Sequence, residues 1–163
     1  MAQIENINDH QRLRKPKSEV YYAYNVTRQA FLNLGVKVAD TTLSRLRGLL
    51  GKVRLRPNEA LWVFPSRGVH TIGLLFSIDL IYLDSERRVV GLVESLGPFR
   101  IAPFRWQAAS VLELPPRTIY ESGTQPGDQL LICTPEEMEA YWARERGEPE
   151  KPAIPIVPIK QAM

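Results

Sequence analysis

Residues 68–84 read GVHTIGLLFSIDLIYLD, the longest apolar run of the chain, with a histidine near its start and an aspartate further along. The run predicts a β-strand, because β-branched and aromatic residues are frequent in it and polar positions are few. His70 and Asp79 both need partners there, since a buried polar or charged group is costly unless it is paired. The stretch therefore predicts either a structural hydrogen-bond network or a functional site.

Alternation along an unbroken strand places His70 on one face and Asp79 on the other, because successive side chains point to opposite sides. A direct His–Asp dyad is thereby excluded, unless Gly73 introduces a bulge that shifts the register. We interpret His70 as a structural residue that donates a ring N–H to a carbonyl. The alternative is a ligand-facing role at the end of the strand, where Ser66 and Thr71 supply neighbouring hydroxyl groups.

Asp79 is expected to form a buried ion pair with an arginine. A short helix is predicted over residues 40–50, where leucines at helical spacing form one apolar stripe. Arg47 lies beside that stripe on a helical wheel, so it is the arginine expected to lean inward, with Arg45 and Arg100 as alternatives. The ion pair would fix the helix against the sheet.

The rest of the chain contains short strand signals separated by turns. Six further strands are predicted, at residues 21–27, 36–40, 60–64, 88–94, 110–114 and 128–133. Leu34 and Gly35 are expected to turn between the first two of these strands. Residues 84–87 are predicted to form a hairpin turn, so that the strand before it and the strand after it pair antiparallel. Glu113 is expected to face solvent or another arginine.

A C-terminal helix is predicted from the capping box formed by Thr134 and Glu137, with Pro135 at the first helical position and Gly147 at the end. Strands outnumber helices and do not alternate with them, which disfavours parallel βαβ units. The predicted fold class is therefore α+β. We expect a mostly antiparallel, strongly curved, barrel-like sheet with one short helix packed on it and the C-terminal helix.

A chain of 163 residues, 44% of them hydrophobic, fits one domain with a core and short tails. The expected organisation is a flexible N-terminal arm over 1–19, a core domain over 20–134, the C-terminal helix over 135–147 and a proline-rich tail over 148–163. Prolines 149, 152, 155 and 158 follow one another at a spacing of three, which aligns them along one edge of a polyproline II helix. The tail is expected to pack on its own domain or to dock on a protein partner.

Composition argues against several classes of function. Cys133 is the only cysteine and His10 and His70 are far apart, so neither a disulfide nor a zinc site built on Cys and His is expected. The net charge of +3 is mild and the basic residues are scattered, which does not indicate a nucleic-acid partner. No glycine-rich phosphate loop indicates a nucleotide, and no cofactor is expected. Without a signal-peptide pattern or a membrane-spanning run, a cytoplasmic location is expected; the oligomeric state stays open.

Seven motifs follow one another in order: NVTR at 25–28, VADT at 38–41, RLRGLLG at 45–51, VHT at 69–71, IDLIYLD at 78–84, VLEL at 111–114 and GD at 127–128. In this combination the chain resembles the uncharacterised family known as domain of unknown function 192. The resemblance covers about residues 21–133. It implies a compact α+β domain with a barrel-like sheet, found in bacteria and archaea, without an agreed reaction, substrate or cofactor. It also implies a loose association with pilus-assembly genes.

The chain departs from the pattern of that family at several positions. Ser66 stands where many members have cysteine, Leu75 and Ser77 replace a frequent arginine and proline, and Pro116-Arg117 replaces Ala-Gly. A role of the cysteine as nucleophile or ligand would not carry over to Ser66.

Two hypotheses about function follow. The preferred one is a noncatalytic binding or assembly module, accessory to a pilus or secretion-type system. Its expected ligand-binding residues lie near one end of the barrel and are Ser66, His70, Thr71, Arg100 and Trp106. The alternative is a small hydrolase-like or ligand-processing enzyme that uses His70 with Ser66 or Asp79, which requires these side chains within hydrogen-bond reach in one pocket.

Overall fold

The computed structural model describes residues 20–39 and 52–148. The predicted N-terminal arm, the helix expected over residues 40–50 with Arg45 and Arg47, and the tail beyond Glu148 lie outside these residues. The elements in the described ranges are β1 (Tyr21–Asn25), β2 (Ala30–Ala39), β3 (Ala60–Val63), β4 (Ile78–Leu83), β5 (Val89–Leu96), β6 (Ser110–Leu114), α1 (Thr118–Ser122), β7 (Leu130–Cys133) and α2 (Pro135–Glu145).

The seven strands form one sheet in the order β5-β4-β6-β3-β2-β1-β7. Only β2 and β3 pair in parallel, and the other neighbours are antiparallel. The sheet curls until its two edges meet at one end, where the Val89 N–H donates to the Asp128 carbonyl (2.9 Å) and the Gly127 N–H to the Val89 carbonyl (2.8 Å). The predicted α+β class and the curved, mostly antiparallel sheet are confirmed, with a mixed rather than a purely antiparallel sheet.

Two hydrophobic cores lie on opposite faces of this sheet. The first contains residues from all seven strands, such as Ile81 and Leu112, and fills the inside of the curl. The second lies on the outer face, where Leu80, Tyr82 and Val111 pack against the loops that cross it. Strand β4 is buried along its whole length because both of its faces are covered.

The outer face is covered by two connections, which we call the first loop (residues 64–77, between β3 and β4) and the second loop (residues 97–109, between β5 and β6). They run antiparallel to each other across the sheet. The Thr71 N–H donates to the Arg100 carbonyl (2.8 Å), and the Ala102 N–H donates to the Val69 carbonyl (2.9 Å). The two loops therefore form a second layer over β4 and β6.

The prediction of one unbroken strand over residues 68–84 was wrong. The strand begins only at Ile78, and the preceding residues belong to the first loop. Gly73 has a φ of 89° and lies in a turn that the Leu74 N–H closes on the Thr71 carbonyl at 3.0 Å. Glycine permits this turn because a side chain disfavours positive φ.

The predicted turn at Leu34 and Gly35 was also wrong, because β2 continues through both residues. A Cβ atom at Gly35 would lie only 1.8 Å from the carbonyl oxygen of Asn58. Glycine inside a strand often marks such a close approach of another backbone segment. Here the glycine allows the connection that precedes β3 to pass directly over β2.

The predicted C-terminal helix is confirmed as α2. Its capping box is complete: the Thr134 hydroxyl accepts from the Glu137 N–H (3.3 Å), and the Thr134 N–H donates to the Glu137 carboxylate (2.8 Å). The helix packs Tyr141 and Trp142 against Tyr24 of β1. Neither helix in the described ranges has the length and apolar character needed to cross a bilayer.

Candidate binding pocket between the two loops

A pocket of about 890 Å³ opens between the first and the second loop. Most of its lining is apolar, and three polar side chains contribute to it. The apolar lining includes Phe64, Val69, Ile72, Ile101, Ala102 and Phe104, and the polar residues are Ser66, Arg67 and His70. Two of the five predicted ligand-binding residues, Ser66 and His70, therefore line the pocket.

Strand-like alternation within the paired loops decides which side chains reach this surface. His70 and Ile101 form an isolated antiparallel bridge, and both are exposed, whereas their neighbours Thr71 and Ala102 are buried toward the sheet. In an antiparallel pair, residues directly opposite each other share a face. The pairing of the loops thus brings His70 and Ile101 to one outward surface.

Thr71 and Arg100 shape the loops. The Thr71 side chain is fully buried; its hydroxyl donates to the Gly97 carbonyl (2.6 Å) and accepts the Arg100 N–H (2.9 Å). Thr71 is therefore enclosed by backbone groups of the second loop, away from the pocket surface. The Arg100 side chain is exposed.

Ser66 and His70 do not form a nucleophile–base pair. The Ser66 hydroxyl donates to the carbonyl of Gly68 at 2.9 Å, and among the described residues no hydrogen bond joins it to His70. Trp106 lies beside the pocket at 78% exposure, with its ring edge-to-face against Phe104 and 4.8 Å between the ring centroids.

Asp79 is fully buried, and its carboxylate accepts two backbone N–H groups. The Ser95 N–H donates to it at 2.8 Å and the Ile119 N–H at 3.0 Å. Ser95 has a φ of 51° and lies where the pairing of β4 with β5 shifts register, and Ile119 lies in the first turn of α1. A bulge leaves an amide without a partner in the β-ladder, and the first turn of a helix leaves amides without a partner in the helix. The Asp79 carboxylate accepts one amide of each kind.

In the described part of the chain these two amides are the partners of the Asp79 carboxylate, and Arg100 is not among them. The predicted ion pair with Arg47 or Arg45 involves residues outside the described ranges. Glu113 is only 5% exposed and is paired in register with Leu61 and Leu80 of the neighbouring strands. The expectation that Glu113 faces solvent was therefore wrong.

A third buried carboxylate, Asp128, lies where the edges of the sheet meet. It accepts hydrogen bonds from Arg28 (3.0 Å), from Asn25 (3.0 Å) and from the backbone N–H of Gln125 (2.9 Å). Burial alone would raise the pKa of Asp128, but these bonds and the charge of Arg28 hold that pKa below its ordinary value. The NVTR and GD motifs of the sequence therefore meet in one network that closes the barrel.

The residues that the sequence interpretation missed are the apolar lining of the pocket, above all Phe64, Ile72, Ile101 and Phe104. One signal for them exists in the sequence: residues 64–77 and 97–109 contain many large apolar side chains and no aspartate or glutamate. Within the ranges that the structure describes, no group of three or more His, Cys, Asp and Glu side chains could hold a metal ion.

Comparisons with known proteins agree with this fold. The model of the DUF192 family, described as "Uncharacterized ACR", matches residues 24–132. A UPF0127 protein of Thermococcus kodakarensis is 34% identical over 125 residues, which is 74% of this chain and 74% of that relative.

Two solved structures share the fold at lower identity. A protein from Sinorhizobium meliloti 1021, provisionally described as a transcription regulator, has a TM-score of 0.60 at 20% identity and covers 71% of this chain and 95% of its own. A protein of unknown function from Novosphingobium aromaticivorans has a TM-score of 0.59 at 18% identity, with 68% and 82% covered. The family match over residues 24–132 and the likeness to the Thermococcus relative establish that the chain belongs to the family domain of unknown function 192, DUF192.

Proposed function

We propose that the protein is a noncatalytic binding module that receives an apolar side chain of a partner protein in the pocket between the two loops. The observation that carries this proposal is the apolar rim of the pocket. Ile101 is 77% exposed, Phe104 55% and Ile72 52%. Contiguous apolar surface around a concave pocket is typical of interaction sites, because it gains free energy only when a partner covers it.

The framework of the pocket supports this role. The buried Thr71 hydroxyl bonds the second loop to the first (2.9 Å to the Arg100 N–H), and the Tyr82 hydroxyl donates to the Pro103 carbonyl (2.7 Å), which holds the second loop on the sheet. A pocket held by such bonds is formed before the partner arrives. Little conformational entropy is then lost on binding.

No observation favours the enzyme hypothesis. The Ser66 hydroxyl is engaged by the Gly68 carbonyl, and the Asp79 carboxylate is enclosed on the inner face of the sheet, opposite to the loops, where two backbone amides donate to it. A nucleophile and its base need to be within hydrogen-bond reach of each other. The arrangement supports binding rather than hydrolysis.

The experiment starts from a library of twelve-residue peptides displayed on phage and selected on the immobilised full chain. The selected peptide is then titrated with the wild type and with two variants, Ile101→Ser and Val53→Ser. Val53 is the matched control because it is 80% exposed and does not line the pocket. Burying an isoleucine side chain contributes about 1.5–3 kcal/mol, which corresponds to roughly a ten- to hundredfold change in affinity.

We expect Ile101→Ser to weaken binding of the selected peptide at least tenfold and Val53→Ser to change it less than twofold. Selection of no peptide, or equal effects of the two variants, would refute the proposal.

Three narrower predictions belong to this proposal and each has its own test. If the proline-rich tail contacts a protein partner, deletion of residues 149–163 should abolish binding of that partner and leave peptide binding at the pocket unchanged. A cytoplasmic location is tested by cell fractionation. An accessory role in a pilus or secretion-type system predicts that deleting the coding sequence reduces assembly of that system.

A further inference from the structure

The surface around the pocket has an uneven distribution of charge. Aspartate and glutamate make up 18 of the 163 residues, yet the first and the second loop contain none. The same two loops carry Arg67, Arg100 and Arg105, and all three are exposed. One of these arginines, Arg67, lines the pocket, and the two loops supply no carboxylate to compensate the three positive charges.

Two of these arginines are available to a partner. The salt bridges between described residues involve other basic side chains, namely Arg28, Lys52, Arg88, Arg117 and Arg146. Arg105 lies over the Tyr82 ring, 6.0 Å from its centroid, and so leans toward the protein. Arg67 lines the pocket itself, and Arg100 lies in the segment paired with the opposite loop.

We propose that the partner segment is acidic as well as apolar: one large apolar side chain fills the pocket, and flanking aspartates or glutamates pair with Arg67 and Arg100. This inference rests on the proposed function and names the chemistry of its partner. Arginine suits the role because its planar guanidinium forms paired hydrogen bonds with a carboxylate. A peptide fits better than a membrane, since a concave pocket of about 890 Å³ accepts a side chain and a flat lipid surface leaves it unfilled.

The test compares three synthetic ten-residue peptides by isothermal titration calorimetry with the full chain. All share the central sequence Gly-Ile-Phe-Gly, and they carry three Glu, three Gln or three Lys residues on each side. We expect the Glu peptide to bind at least tenfold more tightly than the Gln peptide and the Lys peptide to bind most weakly. Raising the salt concentration should reduce the difference, because solvent-exposed ion pairs are screened.

Two double variants of equal net charge separate local pairing from long-range attraction. Arg67→Gln with Arg100→Gln should remove most of the advantage of the Glu peptide, measured as the ratio of the affinities of the Glu and Gln peptides for the same variant. The matched control, Arg88→Gln with Arg144→Gln, changes exposed arginines outside the two loops and should preserve at least half of that advantage.

Several outcomes overturn the inference. Equal binding of the Glu and Gln peptides refutes it and leaves the proposed function standing, whereas no binding of any peptide, the library-selected peptide included, refutes both. Binding to phosphatidylglycerol vesicles in place of the peptides would identify a lipid surface as the occupant. A dimer that Ile101→Ser dissociates would identify a second copy of the chain.

Discussion

Replacing Asp79 with alanine should destabilise the fold by about 1.5–4.5 kcal/mol, because two backbone amides lose their acceptor. The Ile119 N–H is enclosed in the core, where an unsatisfied donor costs about 1–3 kcal/mol. The Ser95 N–H belongs to an exposed residue, so water can replace the carboxylate there and the loss is about 0.5–1.5 kcal/mol. The enclosed amide therefore contributes most of the effect.

Asp84 provides a matched control, because its carboxylate also accepts two backbone N–H groups. The Glu86 N–H donates at 2.9 Å and the Arg88 N–H at 2.8 Å, both in the exposed hairpin turn. Since water reaches these amides, Asp84→Ala should cost about 1 kcal/mol or less. The two aspartates differ in burial and not in the number of bonds, so the comparison isolates the contribution of burial.

The assay is urea unfolding followed by tryptophan fluorescence, with the free energy of unfolding obtained by linear extrapolation. We expect Asp79→Ala to lose clearly more than Asp84→Ala, by at least about 1 kcal/mol. If the two variants agree to within about 0.5 kcal/mol, the account of Asp79 as an acceptor for enclosed amides is refuted.

The same assay tests the predicted ion pair between Asp79 and an arginine. A double-mutant cycle combines Asp79→Asn with Arg47→Gln and measures the coupling free energy between the two side chains. Coupling of about 1 kcal/mol or more would support the pair, and coupling near zero would refute it. An equivalent cycle with Arg45→Gln tests the alternative arginine.

Three further predictions use the same measurement. Tyr82→Phe removes the bond to the Pro103 carbonyl and should lower the free energy of unfolding by about 0.5–1.5 kcal/mol; an unchanged value would contradict the role given to this hydroxyl. Gly35→Ala places a methyl group against the Asn58 carbonyl and should cost about 1–3 kcal/mol or more, while Gly97→Ala, which meets no atom within 4 Å, should cost less; equal costs would contradict the close approach. Because the pKa of Asp128 is lowered in the folded state, its contribution to stability is complete above the ordinary value of about 3.9 and is lost as the pH falls through the folded value. The stability difference between wild type and Asp128→Asn should therefore narrow as the pH falls below the ordinary pKa of about 3.9, and a constant difference would contradict the shift.

Local signals in the sequence predicted much of the sheet. Strand β6 was predicted at its observed residues, and the strand predicted over 60–64 differs from β3 by one residue. The capping box also predicted the start of α2, because the hydrogen bonds of a cap join residues that are close together in the sequence. Helix α1 has no such signal: Arg117 precedes it with a φ of 75° and makes no side-chain capping bond.

The error over residues 68–84 has a tertiary cause. Residues of the first loop lie partly in the core and partly at the surface because the loop pairs with the second loop and covers the sheet. The buried residues of the loop, Ser66, Thr71 and Leu74, have no period of two, but a short run of apolar residues does not by itself distinguish such a loop from a strand. Only the long-range pairing of the chain decides that β4 begins at Ile78.

The pocket could not be predicted from the sequence for a related reason. Its two halves lie about thirty residues apart in the sequence and are joined by backbone hydrogen bonds, which leave no signature in the side chains. Exposed residues such as Ile101 and Phe104 look in a sequence like members of a core. Both segments lack carboxylates, but residues 20–39 and 41–58 lack them as well, so this property alone does not identify the pocket.

The sequence prediction grouped His70 with its neighbour Thr71 as ligand-binding residues, whereas the structure gives the two side chains different surroundings. Thr71 is buried and bonds the two loops together, and this bonding holds His70 and Ile101 side by side at the surface. A change at Thr71 would therefore act on the shape of the pocket through the backbone, whereas a change at Ile101 would act on the surface that a partner contacts. The binding proposal thus depends on the second kind of residue, because only side chains that contact a partner can discriminate between partners.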